Sequence, residues 1–206
     1  MSLATKAFAG FDIDGHHVRV VVTDPSRVAD AAAFARAELD VACEVFSTER
    51  ATSELQRVNR SFGRTVRISP ALADHLRVAV EAAEITDGDV DPVRDASFRE
   101  LELDGATVRL PGFATLDLGA TAPAVAVARV ADSVARRFGC GVLVSMADHV
   151  AAAGPEPVQG WQITVEDGAE RRTVGLASGT VAVTRDAADA VRRVAERAAA
   201  AVFAAA

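Results

Sequence analysis

Apolar and polar residues alternate from the start of the chain and predict a strand over Ala7 to Ile13 and a second over His17 to Val22, joined at Asp14-Gly15. A two-residue hairpin turn needs positive φ at both central positions, which Asp-Gly tolerates, so this pair is a hairpin signal. The period then changes. Val28, Ala31, Ala32, Ala35, Leu39, Ala42, Cys43 and Phe46 recur at helical spacing and predict one long helix with a single buried stripe. Asp24-Pro25 opens it, an acceptor for orphan N–H groups followed by a residue with φ already set.

A polar loop and short helix follow over Ser47 to Arg60, then a short strand at Val66-Arg67-Ile68. Ser69-Pro70 caps a second long helix to about Ile85, with Leu72, Leu76, Val80 and Ala83 facing inward. Thr86-Asp87-Gly88-Asp89-Val90-Asp91-Pro92 is an acidic, turn-rich loop. Leu101-Glu102-Leu103 and Thr107 to Leu110 flank Asp104-Gly105, a second hairpin signal, and Leu116-Asp117-Leu118-Gly119 ends a strand. A third helix from Pro123 to Phe138 stops at Gly139, the left-handed residue expected beyond a helix C-terminus. Gly141 to Met146, Trp161 to Val165 and Val174 to Val183 read as strands, and the Ala- and Arg-rich tail over 186–206 as a terminal helix. Helices mixed with antiparallel hairpins predict the α+β class, with mixed or antiparallel sheets flanked by helices, in a single domain over 1–206.

Composition narrows the function classes. Half of the 206 residues are apolar, enough for one sizeable core without a metal or disulfide to hold it. No apolar run approaches the roughly 18 residues of a membrane span, and no signal segment is evident, so no membrane partner is expected. The net charge of −7 and the lack of Tyr argue against a nucleic-acid partner, which calls for clustered cations and stacking aromatics. Cys43 and Cys140 are isolated and without CxxC spacing, as expected of buried thiols in a reducing, cytoplasmic compartment.

Nucleophile-elbow, zinc-protease, Walker and GxGxxG patterns are missing from the sequence. Gly139-Cys140-Gly141 is too short to cradle phosphate and reads as a helix stop feeding a strand. His16 and His17 lie beside a turn and are expected in solvent. His75 has no partner at i+4 for a metal pair and is expected at the surface.

Six segments in order carry the specific information: Phe46-Ser47 through Ser53-Glu54-Leu55-Gln56-Arg57-Val58-Asn59; Thr86-Asp87-Gly88 with Asp91-Pro92; Leu116-Asp117-Leu118-Gly119-Ala120-Thr121-Ala122; Gly141 to Val144 leading to Ala153-Gly154-Pro155; Trp161; and Ser178-Gly179 before Val181-Ala182. From about residue 7 to about 184 this set resembles the ApbE family of FAD:protein FMN transferases. The resemblance implies transfer of FMN from FAD, through a phosphodiester, to a Thr of an acceptor flavoprotein, with magnesium assisting. A divalent cation would neutralise the pyrophosphate and an acidic group would help the hydroxyl lose its proton. By resemblance Ser53, Glu54, Thr86, Gly88, Asp91, Asp117, Gly119 and Thr184 would line the FAD site. Local chemistry offers structural roles for several of them: Ser53 and Asp117 as helix caps, and the 86–91 stretch as an acidic turn.

The sequence departs from the family where the transfer chemistry lies. Pro123 stands where the family has Lys, Ala128 where it has Asp, and Val93 where it usually has Thr. Ser145-Met146-Ala147-Asp148-His149 replaces Asn, an apolar residue and Gly-Gly-Asp; Cβ atoms at 147 and 148 are expected to crowd a close backbone approach. Asp148 and His149, neighbours in a loop, are expected to be solvated and not to form an acid–base pair. The family's later His-Ile-Asp-Pro segment and metal-binding Ala-Asp-Ala-x-x-Thr run have no counterpart beyond Ala188-Asp189-Ala190, with Arg193 in place of Thr. The fold is therefore expected to lack the family's C-terminal strands, and no metal ligand or catalytic residue is assigned. Two readings follow: a family member whose transferase activity is weak or lost, and a non-catalytic relative that binds flavin or serves as an interaction module.

Overall fold

The computed structural model describes residues 6–167, 170–176 and 179–182. In chain order, β1 (Ala7–Ile13) and β2 (His16–Val22) lead through a 3₁₀ turn to α1 (Val28–Phe46), followed by α2 (Glu54–Asn59), β3 (Val66–Arg67) and α3 (Pro70–Ile85). Next come β4 (Val93–Arg94), β5 (Glu102–Asp104), β6 (Thr107–Arg109), β7 (Thr115–Leu116) and α4 (Ala122–Phe138). The chain continues with β8 (Val142–Met146), β9 (His149–Ala153), β10 (Trp161–Asp167), β11 (Glu170–Leu176) and β12 (Gly179–Ala182). The class is α+β with antiparallel pairing, as the pattern predicts.

The chain forms two compact units. Of the described residues, one is built from those up to Leu39 together with those from Ala126 to Ala182; the other from Asp40–Val125. The first holds an antiparallel sheet in the order β1-β2-β8-β9-β12. Alternation along its strands puts Val18, Val20, Val22, Val142, Val144, Met146, His149 and Ala151 on one face, all buried. The opposite face carries Leu143, Val150 and Ala152, covered by Trp161. Asp14 and Gly15 turn the first hairpin with φ of 45° and 75°, the paired positive values that Asp-Gly predicts. Phe34 of α1 meets Phe138 of α4 edge to face, with 6.1 Å between ring centroids.

Two glycines in this unit permit a close backbone approach. A Cβ on Gly141 would lie 1.9 Å from the Pro155 carbonyl oxygen, and one on Gly154 would lie 2.5 Å from that of Cys140. Gly139, with φ of 64°, terminates α4 as predicted.

The second unit holds α2, α3, a three-stranded sheet in the order β3-β6-β5 and the β4-β7 pair. Leu72, Leu76 and Ala83 of α3 are buried as predicted, while Val80 is half-buried and Ala73, Ala79 and Ala82 are also buried. His75 is not at the surface: it is buried and packs against the Phe46 ring at 5.3 Å between centroids. The imidazole fills an apolar position on the inner face of α3, which a search for metal spacing does not address.

Other expectations shift by local detail. Asp104 pairs with Thr107, so the turn residues of the second hairpin are Gly105 and Ala106, not Asp104 and Gly105. The stretch predicted as one strand from Val174 to Val183 divides between β11, paired with β10, and β12, paired with β9. His149 is not in a solvated loop. It starts β9 across a tight turn from Met146 and is buried, while Asp148 stays exposed. Both cysteines are buried and not joined in a disulfide. Among the described residues, no helix is long and apolar enough to cross a membrane. Thr184 and the tail predicted as a helix lie outside the described residues.

Candidate functional site

Seven of the eight residues marked by the resemblance, Ser53, Glu54, Thr86, Gly88, Asp91, Asp117 and Gly119, belong to the unit built from Asp40–Val125. β4 and β7 bring the second and third segments together: Val93 pairs with Leu116, and the Asp117 N–H donates to the Pro92 carbonyl at 2.9 Å. α2 joins them through Asn59, whose amide accepts from the Leu116 N–H at 2.7 Å and donates to the Leu116 carbonyl at 3.0 Å. That two-point clamp fixes the strand end leading into Asp117.

The polar side chains are committed to bonds within the protein. Ser53 is buried; its Oγ accepts from the Gln56 N–H at 3.1 Å and donates to the Ser47 carbonyl at 2.6 Å. It is the N-cap of α2. Glu54 accepts from the Ser69 N–H at 2.8 Å, bonds the Ser69 hydroxyl and pairs with Arg57 at 2.8 Å, fastening α2 to the cap of α3. Thr86 Oγ1 donates to the Ala82 carbonyl at 2.8 Å and accepts from the Val90 N–H at 3.1 Å. Gly88, with φ of 91°, donates its N–H back to the Ala83 carbonyl at 2.8 Å and closes the end of α3. Asp91 holds the next loop, accepting from the Val93 N–H at 2.8 Å and the Phe98 N–H at 3.0 Å.

Asp117 is the most electrostatically defined of the set. Its carboxylate accepts from the Gly119 N–H at 2.9 Å and from Arg94 Nη2 at 2.9 Å. Burial pushes its pKa upward, but the Gly119 N–H, the Arg94 hydrogen bond and the Arg94 charge together outweigh burial and hold it below the ordinary value. Arg94 is the residue that sequence reasoning missed. Its neighbours in sequence carry no signal, and only the β4–β7 register places it beside Asp117. The loop then enters α4, where the Thr121 and Ala122 N–H groups bond the Leu118 carbonyl. Pro123, where the resemblance implies a Lys, is buried in the first turn, and Val93, where it implies a Thr, is buried in β4.

Residues 145–149 lie in the other unit. Ala147 turns β8 into β9 with φ of 50°, a backbone conformation that favours glycine. Burial, partly opposed by the charge of Asp148, holds the His149 pKa below its ordinary value. His149 Nδ1 is buried with no hydrogen-bond partner among the described residues.

The described residues do not suit a magnesium ion. They contain no group of three or more His, Cys, Asp or Glu side chains able to share one, and Asp91 and Asp117 already accept two hydrogen bonds each. Asp189 lies outside the described residues. For FAD, the arrangement offers a strand end and turn at Asp117–Gly119 and the exposed Arg94 guanidinium as a counter-charge.

Comparison with solved structures shows whose fold this is. The fold matches an apo flavinyl transferase ApbE from Pseudomonas stutzeri with a TM-score of 0.71 at 18% identity, covering 84% of this chain and 66% of that one. It matches the ApbE protein of Thermotoga maritima with a TM-score of 0.74 at 20% identity, over 86% and 70% of the two chains. It also matches the H257G mutant of the Vibrio cholerae flavin transferase ApbE with a TM-score of 0.72 at 15% identity, over 87% and 73%. The chain therefore spans about two thirds of the length of the first of these proteins. The sequence model of the ApbE family matches residues 15–97. Residues 15–97 thus match the ApbE family in sequence, and the described fold is that of the solved ApbE proteins. A search of curated proteins returned no match.

Proposed function

We propose that this protein keeps the flavin-transferase scaffold of its family while its capacity to transfer FMN from FAD to a Thr of an acceptor flavoprotein is weak or lost. The observation that carries this reading is the state of Asp117. The acidic group at the strand end is neutralised by Arg94, and the helix that follows opens on buried Pro123 where the resemblance implies a cation. A pyrophosphate would have to compete with Asp117 for Arg94, and an acceptor hydroxyl would find no uncommitted carboxylate at Asp91 or Asp117. Removing one electrostatic contact to a transition state typically costs about 10²- to 10³-fold in rate. Several such changes together leave little transfer. FAD, if bound, supplies the FMN group and the phosphoanhydride. The parts this chain contributes are a preformed strand-end turn and the guanidinium beside it.

The purified protein, mixed with FAD and Mg²⁺, is assayed for a shift in unfolding midpoint and then, with an acceptor flavoprotein, for covalent FMN by intact mass. Midpoint stabilisation without FMN transfer is expected. Transfer at the rate of an intact family member run in parallel would overturn the reading. Neither binding nor transfer would favour the non-catalytic relative acting as an interaction module.

A further inference from the structure

Exposed apolar side chains are common singly, but two of the six large ones among the described residues sit on loops that touch. Phe62 is 76% exposed and Phe113 is 69% exposed. The loops carrying them meet at Gly63 and Gly112, where a Cβ on Gly63 would lie 3.2 Å from the Gly112 Cα. Arg109 ties them further by donating from Nε to the Gly63 carbonyl at 3.1 Å.

Phe62 also occupies a backbone position that local chemistry would give to Gly or Asn, with φ of 50°. A bulky residue held there, with its ring in solvent, gains no burial to offset the strain. Phe8, exposed elsewhere, is covered by the Arg19 guanidinium at 4.2 Å from its ring centroid; among the described residues no cation covers Phe62 or Phe113.

Charge supplies the character of the missing partner. Residues 55–73 carry Arg57, Arg60, Arg64 and Arg67 and no Asp or Glu, and residues 105–116 carry Arg109 and none either, in a chain of net charge −7. Arg60, Arg64 and Arg67 are exposed, and among the described residues no carboxylate pairs with them. We infer that the Phe62–Phe113 loops, with Arg60, Arg64 and Arg67, form a docking face for a protein partner that presents acidic residues around an apolar side chain. Aromatic and arginine side chains are the residue types that dominate binding energy at protein interfaces; Arg60 donates to the Ala51 carbonyl, but none of the three guanidiniums has a carboxylate partner among the described residues, and their charge sets the sign of the partner's surface. This inference is independent of whether the protein transfers flavin.

The probe is a short fluorescent peptide of alternating Glu and Phe, titrated by anisotropy into the full-length protein at low and high salt. The expected result is salt-sensitive binding, weakened about tenfold or more by Phe62→Asn with Phe113→Ser, and separately by Arg60→Glu with Arg64→Glu. Val158→Ser, removing an apolar side chain that is 95% exposed elsewhere, leaves binding unchanged. Phe62→Asn alone keeps or raises the unfolding midpoint, because Asn tolerates the left-handed backbone. The inference is overturned if the peptide fails to bind or binds the double variants as well as the parent. It is equally overturned if oligothymidylate binds more tightly than the peptide, or if the parent self-associates through this face in light scattering.

Discussion

The Arg94 guanidinium and the Asp117 carboxylate lie 2.9 Å apart across the β4–β7 pair, and the Gly119 N–H holds the other carboxylate oxygen at the same distance. One acidic side chain thus sets the turn into α4 and neutralises the nearest cation. Replacing Asp117 by Ala is expected to cost about 1 kcal/mol, since the pair is partly exposed and screened. The folded pKa is depressed, so this stability is present above the ordinary carboxylate value of 3.8 and disappears as pH falls through the folded value. Urea unfolding from pH 7 to pH 3 checks it: the gap between the parent and Asp117→Ala should narrow toward the acid end.

Titration of His149 has the same sign at higher pH. Burial disfavours its charged form, so the unfolded chain takes up the proton first. Stability is then full above the ordinary histidine value of 6.5 and falls as pH drops below it. In His149→Leu the loss between pH 7 and pH 5.5 should be smaller than in the parent, read from urea midpoints. An unchanged slope would mean that His149 protonates as readily folded as unfolded.

Gly141 and Gly15 separate two reasons for a glycine. At Gly141 an added Cβ meets backbone at 1.9 Å, and Gly141→Ala is expected to cost about 3 kcal/mol or more. At Gly15 nothing lies within 4 Å, but φ is 75°, so Gly15→Ala costs only about 1 kcal/mol of backbone strain. Thermal unfolding of the two variants side by side tests the order.

Asn59 clamps both backbone groups of Leu116. Asn59→Ala leaves a part-buried N–H and carbonyl without this partner and should cost about 2 kcal/mol. Hydrogen exchange at the Leu116 amide should rise with it. Protection unchanged at that amide would show that the clamp is dispensable.

Much of the fold was legible in the sequence because its signals are local. Asp14-Gly15, Ser69-Pro70 and Gly139 each dictate backbone geometry through their own atoms, and the helices of 28–46 and 70–85 follow from a single repeated stripe. Errors arose where the deciding partner is distant in sequence. Asp104-Gly105 has the same dipeptide as Asp14-Gly15, yet pairing with β6 places Asp104 in the strand and moves the turn by one residue. Strand β9 was missed because the polar pair Asp148-His149 leads into it just after β8, where the turn carries its positive φ on Ala147 and no glycine signals it.

The hydrophobic pattern by itself determined the α+β class, and the ordered segments carried the resemblance to the ApbE family, because spacing along a chain survives even where individual side chains change. They also marked, by resemblance, the candidate site positions. What those residues do was decided only by the tertiary structure. Ser53, Glu54 and Asp91 close caps and loops, His75 and His149 fill buried positions, and Asp117 meets Arg94. The physical reason is that a carboxylate or imidazole takes its charge state and its availability from the groups packed around it, and those are brought in by strand register and helix packing from far along the chain.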